Sequence, residues 1–202
     1  MLQSKKCRLC RREGEKLFLK GERCTSAKCS FARRSYAPGK NGKTLGRKLS
    51  DYGVQLRAKQ TCKKIYKIRE KTLKKYYENA AKSKISTGEE LLKMLELRLD
   101  NAVYKLGFAP SLSAARQLVS HKHILINNKK VNIGSYSLKA KDKICIDKNI
   151  TPMIKNTKKT QDIPVWLELS KDKFSGTILR EPTKNDIKTN VDIQLIIEFY
   201  SR

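Results

Sequence analysis

Four cysteines near the start of the chain limit what this region can fold into more than any other feature of the sequence. Cys7, Cys10, Cys24 and Cys29 follow the pattern C-x2-C-x13-C-x4-C. Two close pairs separated by a short span can bring four thiolates to one tetrahedral Zn²⁺, with Zn–S distances of about 2.3 Å. A closed site of this kind organises a segment too small to have its own core. The pattern therefore predicts a zinc-bound N-terminal segment.

Disulfides and a redox pair are the alternative uses of these cysteines. The sequence shows no secretory signal, and a basic nucleic-acid-binding protein belongs in a reducing compartment, where disulfides are rare. A redox C-x-x-C pair would follow the strand of a βαβ unit, whereas only six residues precede Cys7. The sequence favours zinc over both alternatives.

The charge of the chain indicates a polyanionic partner. The 202 residues include 46 Lys and Arg but only 19 Asp and Glu, which gives a net charge of +27. Self-repulsion of this size disfavours a compact state unless a polyanion neutralises it. Nucleic acid is the leading candidate, because each neutralised phosphate releases condensed counterions. An anionic membrane is the weaker alternative, since no apolar run approaches the length of a spanning helix.

A glycine-rich basic segment separates the cysteines from the first long helix. Residues 32–53 have the composition of a flexible loop that becomes ordered against its partner, or of a disordered linker. Ser50 or Asp51 can then cap a helix that runs to about Lys64, and a second helix is predicted near residues 69–81.

Two further helices are predicted in the middle of the chain. Thr87 and Glu90 have the spacing of a capping box. Apolar residues follow at helical spacing, so the pattern predicts one continuous helix that ends at Gly107. Ser111 opens the next helix, SLSAARQLVSHK.

Short strands and turns are predicted after these helices. Asn127 and Asn128 suit the left-handed positions of a tight hairpin. The segments with strand-like composition are ILIN, VNI, DKICID, VWLELS, GTILR and IQLIIEFY. The predicted fold class is therefore α+β, with helices packed on a small, mostly antiparallel sheet.

Several stretches, in order along nearly the whole chain, resemble one known family. The cysteine pattern followed by RRSYAPGKNG and SDYGVQLRAKQ is similar to the amino-terminal half of the bacterial small-subunit ribosomal protein S-four family. The stretch from ELRLDNAVYKLGF to SAARQLVSHKHILINNKKVNIGSY resembles the RNA-binding module inserted in that family, and IIEFYSR is similar to its carboxyl terminus. Asn128 stands where the family usually has Gly.

The resemblance implies a division of the chain into four parts. Residues 1–49 would form the zinc-binding segment and basic loop, and residues 50–90 a helical domain. Residues 91–150 would form the small RNA-binding module. Residues 151–202 would add strands that complete the second domain and pack back on the helical domain.

The resemblance also implies a non-enzymatic function in the cytoplasmic ribosome. The family's members bind small-subunit rRNA in its 5′ domain, nucleate assembly of the subunit body, lie beside other small-subunit proteins, and affect decoding accuracy near the channel by which mRNA enters. Two other functions are considered: an RNA-modifying enzyme that shares the module, and an mRNA-binding translational repressor.

Charge and resemblance together select the candidate RNA-binding residues. Most lie in the basic N-terminal half, and the rest lie on or beside the predicted second helix of the module. They are Arg8, Arg11, Arg12, Arg33, Arg34, Lys43, Arg47, Lys48, Arg57, Lys59, Arg98, Arg116, Gln117, His121 and Lys122.

The motif Arg98-Leu99-Asp100 invites an enzymatic interpretation. Pseudouridine synthases use such a motif with a catalytic aspartate, but on a separate large catalytic domain. Here the motif lies within a predicted amphipathic helix of the module. A salt bridge or helix cap is therefore the favoured role of Asp100, and no catalytic residue is predicted.

Overall fold

Two units make up the structure, and the chain leaves the first for the second and then returns. The computed structural model describes residues 6–44, 48–83, 86–147, 163–172, 174–187 and 191–202. The first unit comprises Met1–Lys82 and Asn190–Arg202, and the second comprises Ser83–Thr189. Among the described residues, no helix is long and apolar enough to span a membrane.

The first unit is helical. Its short helices α1 (Lys6–Glu13), α2 (Glu22–Thr25) and α3 (Ser30–Arg33) carry the four cysteines. The longer helices are α4 (Asp51–Ile65) and α5 (Glu70–Ala81). The Ser50 side chain accepts a hydrogen bond from the backbone N–H of Gly53, 3.3 Å away, which confirms the predicted cap of α4.

The carboxyl-terminal segment IQLIIEFY is a helix, and the prediction of a strand was wrong. It forms the last helix of the chain (Ile193–Tyr200), and Asp192 caps it by accepting from the backbone N–H of Gln194 at 2.9 Å. Its run of β-branched residues favours a strand by local propensity. Packing on α4 and α5 overrides that propensity, and Ile196 is fully buried.

The second unit begins with three helices, where one continuous helix had been predicted over the first two. They are α6 (Thr87–Glu96), α7 (Leu99–Lys105) and α8 (Leu112–Ser120). Between α6 and α7 the backbone pairs with a distant segment: the N–H of Leu99 donates to the carbonyl of Tyr136 at 2.9 Å. This pairing ends α6 and restarts the chain as α7.

The ends of these helices follow the sequence in part. Gly107 has a φ of 78° and ends α7 as predicted. Ser111 accepts from the backbone N–H of Ala114 at 3.4 Å and caps α8. The predicted capping box is wrong, because the cap of α6 is Ser86 and Glu90 instead pairs with Lys93 at 2.8 Å.

The second unit also contains a five-stranded antiparallel sheet. The strands are β1 (Ile124–Ile126), β2 (Lys129–Val131), β3 (Lys143–Ile146), β4 (Leu167–Leu169) and β5 (Ser175–Ile178). Their spatial order is β2-β1-β3-β5-β4. The described part of the second unit therefore has the α+β architecture predicted from the sequence.

The first hairpin and one apolar core fix the fold of the second unit. Asn127 and Asn128 have φ values of 48° and 68°, which confirms the left-handed turn between β1 and β2. Helices α7 and α8 pack together, and one apolar cluster joins them to the sheet. Its fully buried members include Leu99, Val103, Val119, Ile124, Ile144, Trp166 and Ile178.

The last predicted segment of the chain contributes to both units. Strands β4 and β5 belong to the sheet of the second unit, whereas the helix Ile193–Tyr200, called α9 below, belongs to the first. A short 3₁₀ helix (Lys184–Asp186) follows β5.

Candidate nucleic-acid interface

The four predicted zinc ligands lie together in one part of the first unit, called here the cysteine lobe (residues 6–33). Cys7 and Cys10 lie on α1, Cys24 lies in α2, and Cys29 immediately precedes α3. Cys7 is half-buried and the other three are buried. All six thiols of the chain are free, which excludes disulfides in this structure.

The thiols of the cysteine lobe influence one another electrostatically. Burial raises the pKa of the Cys10 thiol, and negative charge on Cys24, Cys7 and Cys29 raises it further. The backbone N–H of Ala32 lowers the pKa of Cys29 against a smaller opposing effect of burial. Burial and the charge of the neighbouring cysteines therefore disfavour the thiolate form of Cys10.

The donor chemistry of the cysteine lobe fits zinc, but the described side chains are not arranged around one metal position. Four cysteine sulfurs in two close pairs are the donor set of a closed structural zinc site. Yet within the described residues no group of three or more His, Cys, Asp or Glu side chains is arranged to hold a metal ion. The zinc site predicted from the sequence therefore remains a prediction.

Basic side chains surround the cysteine lobe and face solvent. Of the predicted RNA-binding residues, those exposed here and in the following loop are Arg8, Arg12, Arg33, Arg34, Lys43 and Lys48. Exposed Lys and Arg side chains on one rigid scaffold are suited to phosphate contacts, which position a protein on nucleic acid without reading bases. Arg47 was also predicted to bind RNA, but it lies outside the described residues.

Two predicted RNA-binding residues of α4 are engaged inside the first unit. Arg57 pairs with Glu13 at 3.2 Å and keeps about a third of its side chain (32%) exposed. Lys59 is only 6% exposed, and its Nζ lies 2.8 Å from Glu70 Oε1 and 3.8 Å from the centroid of the Phe199 ring. The prediction that Lys59 faces RNA is corrected, because its charge is used to join α4, α5 and α9.

Glu70 is the centre of that internal network. Burial opposes the ionisation of its carboxyl group, but hydrogen bonds from Lys59, Lys63 and Tyr200 outweigh burial and lower the pKa to about 2. Burial and the bond to Glu70 in turn raise the pKa of the Tyr200 hydroxyl. The carboxylate is therefore ionised at neutral pH and holds three elements of the first unit together.

The predicted RNA-binding residues of the second unit are likewise partly exposed and partly engaged inside the fold. Gln117, His121 and Lys122 are exposed at the carboxyl end of α8 and just after it. Arg116, also on α8, is half-buried, and its Nε lies 2.8 Å from Asp100 Oδ2. The exposed residues and the outer part of Arg116 form one basic and polar strip.

Arg98 is buried, which corrects the prediction that it binds RNA. Its side chain is 6% exposed and forms a two-bond fork with Asp100, with Nε 3.1 Å from Oδ1 and Nη2 3.0 Å from Oδ2. Asp100 is fully buried and accepts from Arg116 as well. The Arg98-Leu99-Asp100 motif thus forms an internal ion network, as its predicted structural role requires.

Comparison with known proteins shows which family the chain belongs to. Residues 1–96 match the family described as ribosomal protein S4/S9 N-terminal domain, and residues 97–144 match the S4 domain. The small ribosomal subunit protein uS4 of Dictyoglomus thermophilum is 51% identical over 199 residues, which are 97% of this chain and 96% of that protein. The uS4A protein of Clostridium novyi is 53% identical over 199 residues, with the same coverage of both chains. The chain belongs to the uS4 family.

Membership of the uS4 family confirms the resemblance read from the sequence. The family consists of structural ribosomal proteins and not of enzymes. This agrees with the fully buried position of Asp100 beneath two arginines, where a substrate atom has no access. The alternative of an RNA-modifying enzyme is therefore rejected.

Sequence reasoning missed the carboxylates that organise the basic surface. Glu13 is almost fully buried (1% exposed) and pairs with Arg57 and Lys64 of α4. The available signal was an acidic residue that ends the otherwise basic helix KCRLCRRE. In a strongly basic segment, an isolated carboxylate at the end of a helix is a candidate for an internal ion pair, since buried charges are paired.

Proposed function

We propose that this chain is a structural component of the small ribosomal subunit that binds small-subunit rRNA directly. The observation that carries the proposal is membership of the uS4 family, whose curated relatives are named as small ribosomal subunit proteins. The charge of +27 supports it, because such a chain needs a polyanion to offset its self-repulsion. The site of action is the ribosome of the bacterial-type cytoplasm.

The binding mode follows from which charges are free. The exposed arginines of the cysteine lobe would contact phosphates, and Gln117, His121 and Lys122 would form a second contact region. Folded RNA is recognised mostly through its shape, its phosphates and its 2′-hydroxyls. The protein would therefore stabilise one arrangement of RNA helices by lowering the repulsion between their phosphates.

The family resemblance supports a more detailed role. Contact with the 5′ domain of the rRNA would nucleate assembly of the subunit body, beside neighbouring ribosomal proteins. A position near the channel by which mRNA enters would connect the protein to decoding accuracy. The same basic surface could bind a folded mRNA and repress its translation, as a second role of one site.

We also propose that the cysteine lobe binds Zn²⁺ as a structural cofactor. Cys7, Cys10, Cys24 and Cys29 would hold the ion, which supplies a cross-link between α1, α2 and α3 and offsets thiolate charge. The position of all four thiols in the cysteine lobe, on or beside α1, α2 and α3, supports this assignment. The role of zinc would be to fix the arginines around the lobe.

The proposed binding predicts a steep dependence on salt. If the six exposed residues of the predicted RNA-binding set in the first unit each neutralise one phosphate, affinity for small-subunit rRNA should fall about 10³-fold between 50 and 200 mM salt. Filter binding of the full chain across that range measures the slope.

Variants of Arg33 and Arg34 test whether these side chains contribute. The double variant R33Q/R34Q should reduce the log–log salt slope by about 2, because each phosphate contact contributes about 1. The control R33K/R34K keeps both charges and should keep the slope. An affinity of the natural chain that does not change with salt would contradict the proposed function.

A further inference from the structure

We propose that Arg11 is a positioning residue that shapes the basic loop (residues 34–44) for rRNA and does not itself bind phosphate. The inference rests on the proposed function and assigns a different role to one of its predicted RNA-binding residues. It follows from the contacts that the guanidinium group makes within the first unit.

Arg11 directs its donors at the backbone of the basic loop. Its Nε lies 2.9 Å from the carbonyl oxygen of Tyr36, and its Nη2 lies 3.2 Å from the carbonyl oxygen of Ala37. The same group lies over the Tyr36 ring, with Cζ 4.9 Å from the ring centroid. A planar guanidinium can bond two consecutive carbonyls and stack on a ring at once, whereas a Lys ammonium cannot.

Two backbone segments of the basic loop approach each other closely at the carbonyl of Ala37, which accepts a hydrogen bond from Arg11. A Cβ atom placed on Gly42 would lie 1.8 Å from the carbonyl oxygen of Ala37, so only glycine fits at this approach. The backbone N–H of Gly42 also donates to the carbonyl of Gly39 at 3.3 Å. The described part of the loop is thus held in one conformation by internal contacts of its backbone.

Helix α1, which carries Arg11, is itself bound to α4. Two residues further along α1, the buried carboxylate of Glu13 accepts hydrogen bonds from Arg57 at 3.2 Å and from Thr61 at 3.3 Å, and it pairs with Lys64. These three partners all lie on α4. Arg11 therefore links the loop to a helix that is anchored on the longest helix of the first unit.

The consequence is a loop that presents its free charges in one arrangement. Lys43 is exposed, and its Nζ lies 5.4 Å from the centroid of the Tyr36 ring, the ring on which Arg11 also stacks. Arg11 is half-buried while Arg12 beside it is exposed. A loop ordered before binding avoids the entropy cost of ordering it on the RNA, which raises affinity without adding a contact.

The test compares charge-retaining and charge-removing variants of Arg11. A positioning role predicts that R11K and R11Q both lower rRNA affinity by about tenfold, the equivalent of ordering roughly one backbone residue. It also predicts that the log–log salt slope is unchanged in both R11K and R11Q. A phosphate contact would instead leave R11K near the natural affinity, with a slope reduced by about 1 only in R11Q; that result would overturn the proposal.

A second readout follows the loop in the free protein. Limited trypsin digestion should cleave after Lys40 and Lys43 faster in R11K and R11Q than in the natural chain, relative to cleavage after Lys171 in the second unit. The matched controls R12K and R12Q should leave these loop rates unchanged. Unchanged loop cleavage in both Arg11 variants would overturn the proposal.

A third variant disturbs the loop without touching Arg11. G42A forces the Ala37 carbonyl to move and should reproduce the affinity loss of R11K with the salt slope retained. Full rRNA affinity in G42A would contradict the importance of the loop shape. If the natural chain itself fails to bind rRNA, the proposed function fails, whereas binding that is indifferent to R11K and G42A defeats the positioning role alone.

Discussion

Replacing Asp100 by Asn is expected to lower the free energy of unfolding of the second unit by about 3 to 5 kcal/mol. The Asp100 carboxylate is fully buried and balances the guanidinium groups of Arg98 and Arg116, one buried and one half-buried. The Asn amide has the same size as the carboxylate but carries no negative charge. Its NH₂ group is a hydrogen-bond donor and would face guanidinium groups that are also donors. Domains are stable by only about 5 to 15 kcal/mol, so this loss is a large share of the total.

Tryptophan fluorescence can measure this loss in the second unit by itself. Trp166 is the single tryptophan of the chain and is fully buried in the core of the second unit. Urea unfolding followed at Trp166 should give the predicted decrease for D100N. The matched control D172N removes the same charge from an exposed position and should change stability by less than about 0.5 kcal/mol.

A double variant tests whether the cost comes from the uncompensated charge. R116Q removes one of the two cations that face Asp100, so D100N/R116Q should lose less stability than the sum of the two single variants. A coupling of about 0.5 to 3 kcal/mol is expected for residues in one ion network. Equal stability of D100N and D172N would contradict the structural role assigned to the motif.

If the cysteine lobe binds zinc as proposed, removal of the metal should unfold the lobe. Structural zinc contributes apparent binding free energies of about 10 to 16 kcal/mol in small zinc domains at neutral pH. Protein purified under reducing conditions should contain about one Zn per chain. After chelation, trypsin should cleave rapidly at the arginines and lysines of the lobe, and the four thiols should become reactive.

Controls separate the lobe from the rest of the chain. C24S should lose the metal, whereas C145S, which alters a half-buried thiol in the second unit, should retain it. Fluorescence of Trp166 should be unaffected by chelation, because this residue reports on the core of the second unit. Absence of zinc, with the four thiols open to alkylation in the folded chain, would contradict the zinc proposal.

Features fixed by neighbouring residues could be predicted from the sequence. The caps at Ser50 and Ser111, the end of α7 at Gly107, and the hairpin at Asn127 and Asn128 depend on contacts within a few residues. Their side-chain and backbone preferences therefore decided the structure.

Features fixed by contacts between residues far apart in the chain could not be predicted from the sequence. The break between α6 and α7 depends on the pairing of Leu99 with Tyr136, which are far apart in the chain. The β-branched segment Ile193–Tyr200 is helical because it packs on α4 and α5. Propensity is a weak guide where tertiary packing competes with it.

The candidate site shows the same limit for charged residues. The sequence identified a basic surface and four cysteines, but it could not distinguish exposed arginines from those paired inside. Arg98 and Lys59 are buried because Asp100 and Glu70 lie close to them in the fold. Asp100 is only two residues from Arg98, and the sequence did suggest a salt bridge for it, but not that both side chains would be buried. Glu70 is eleven residues from Lys59 and on another helix, so its pairing depends on how α4 and α5 pack.

A resident protein of the small ribosomal subunit remains bound to that subunit through purification. The most direct measurement is sedimentation of ribosomes from cells that express the full chain, after a high-salt wash, with the chain quantified against small-subunit rRNA in each fraction. In an assembled subunit many contacts must break together, so release is slow even though salt weakens each phosphate contact. The chain should sediment with the small subunit in stoichiometric amounts. Recovery of the chain only among unbound proteins, or only with the large subunit, would contradict it.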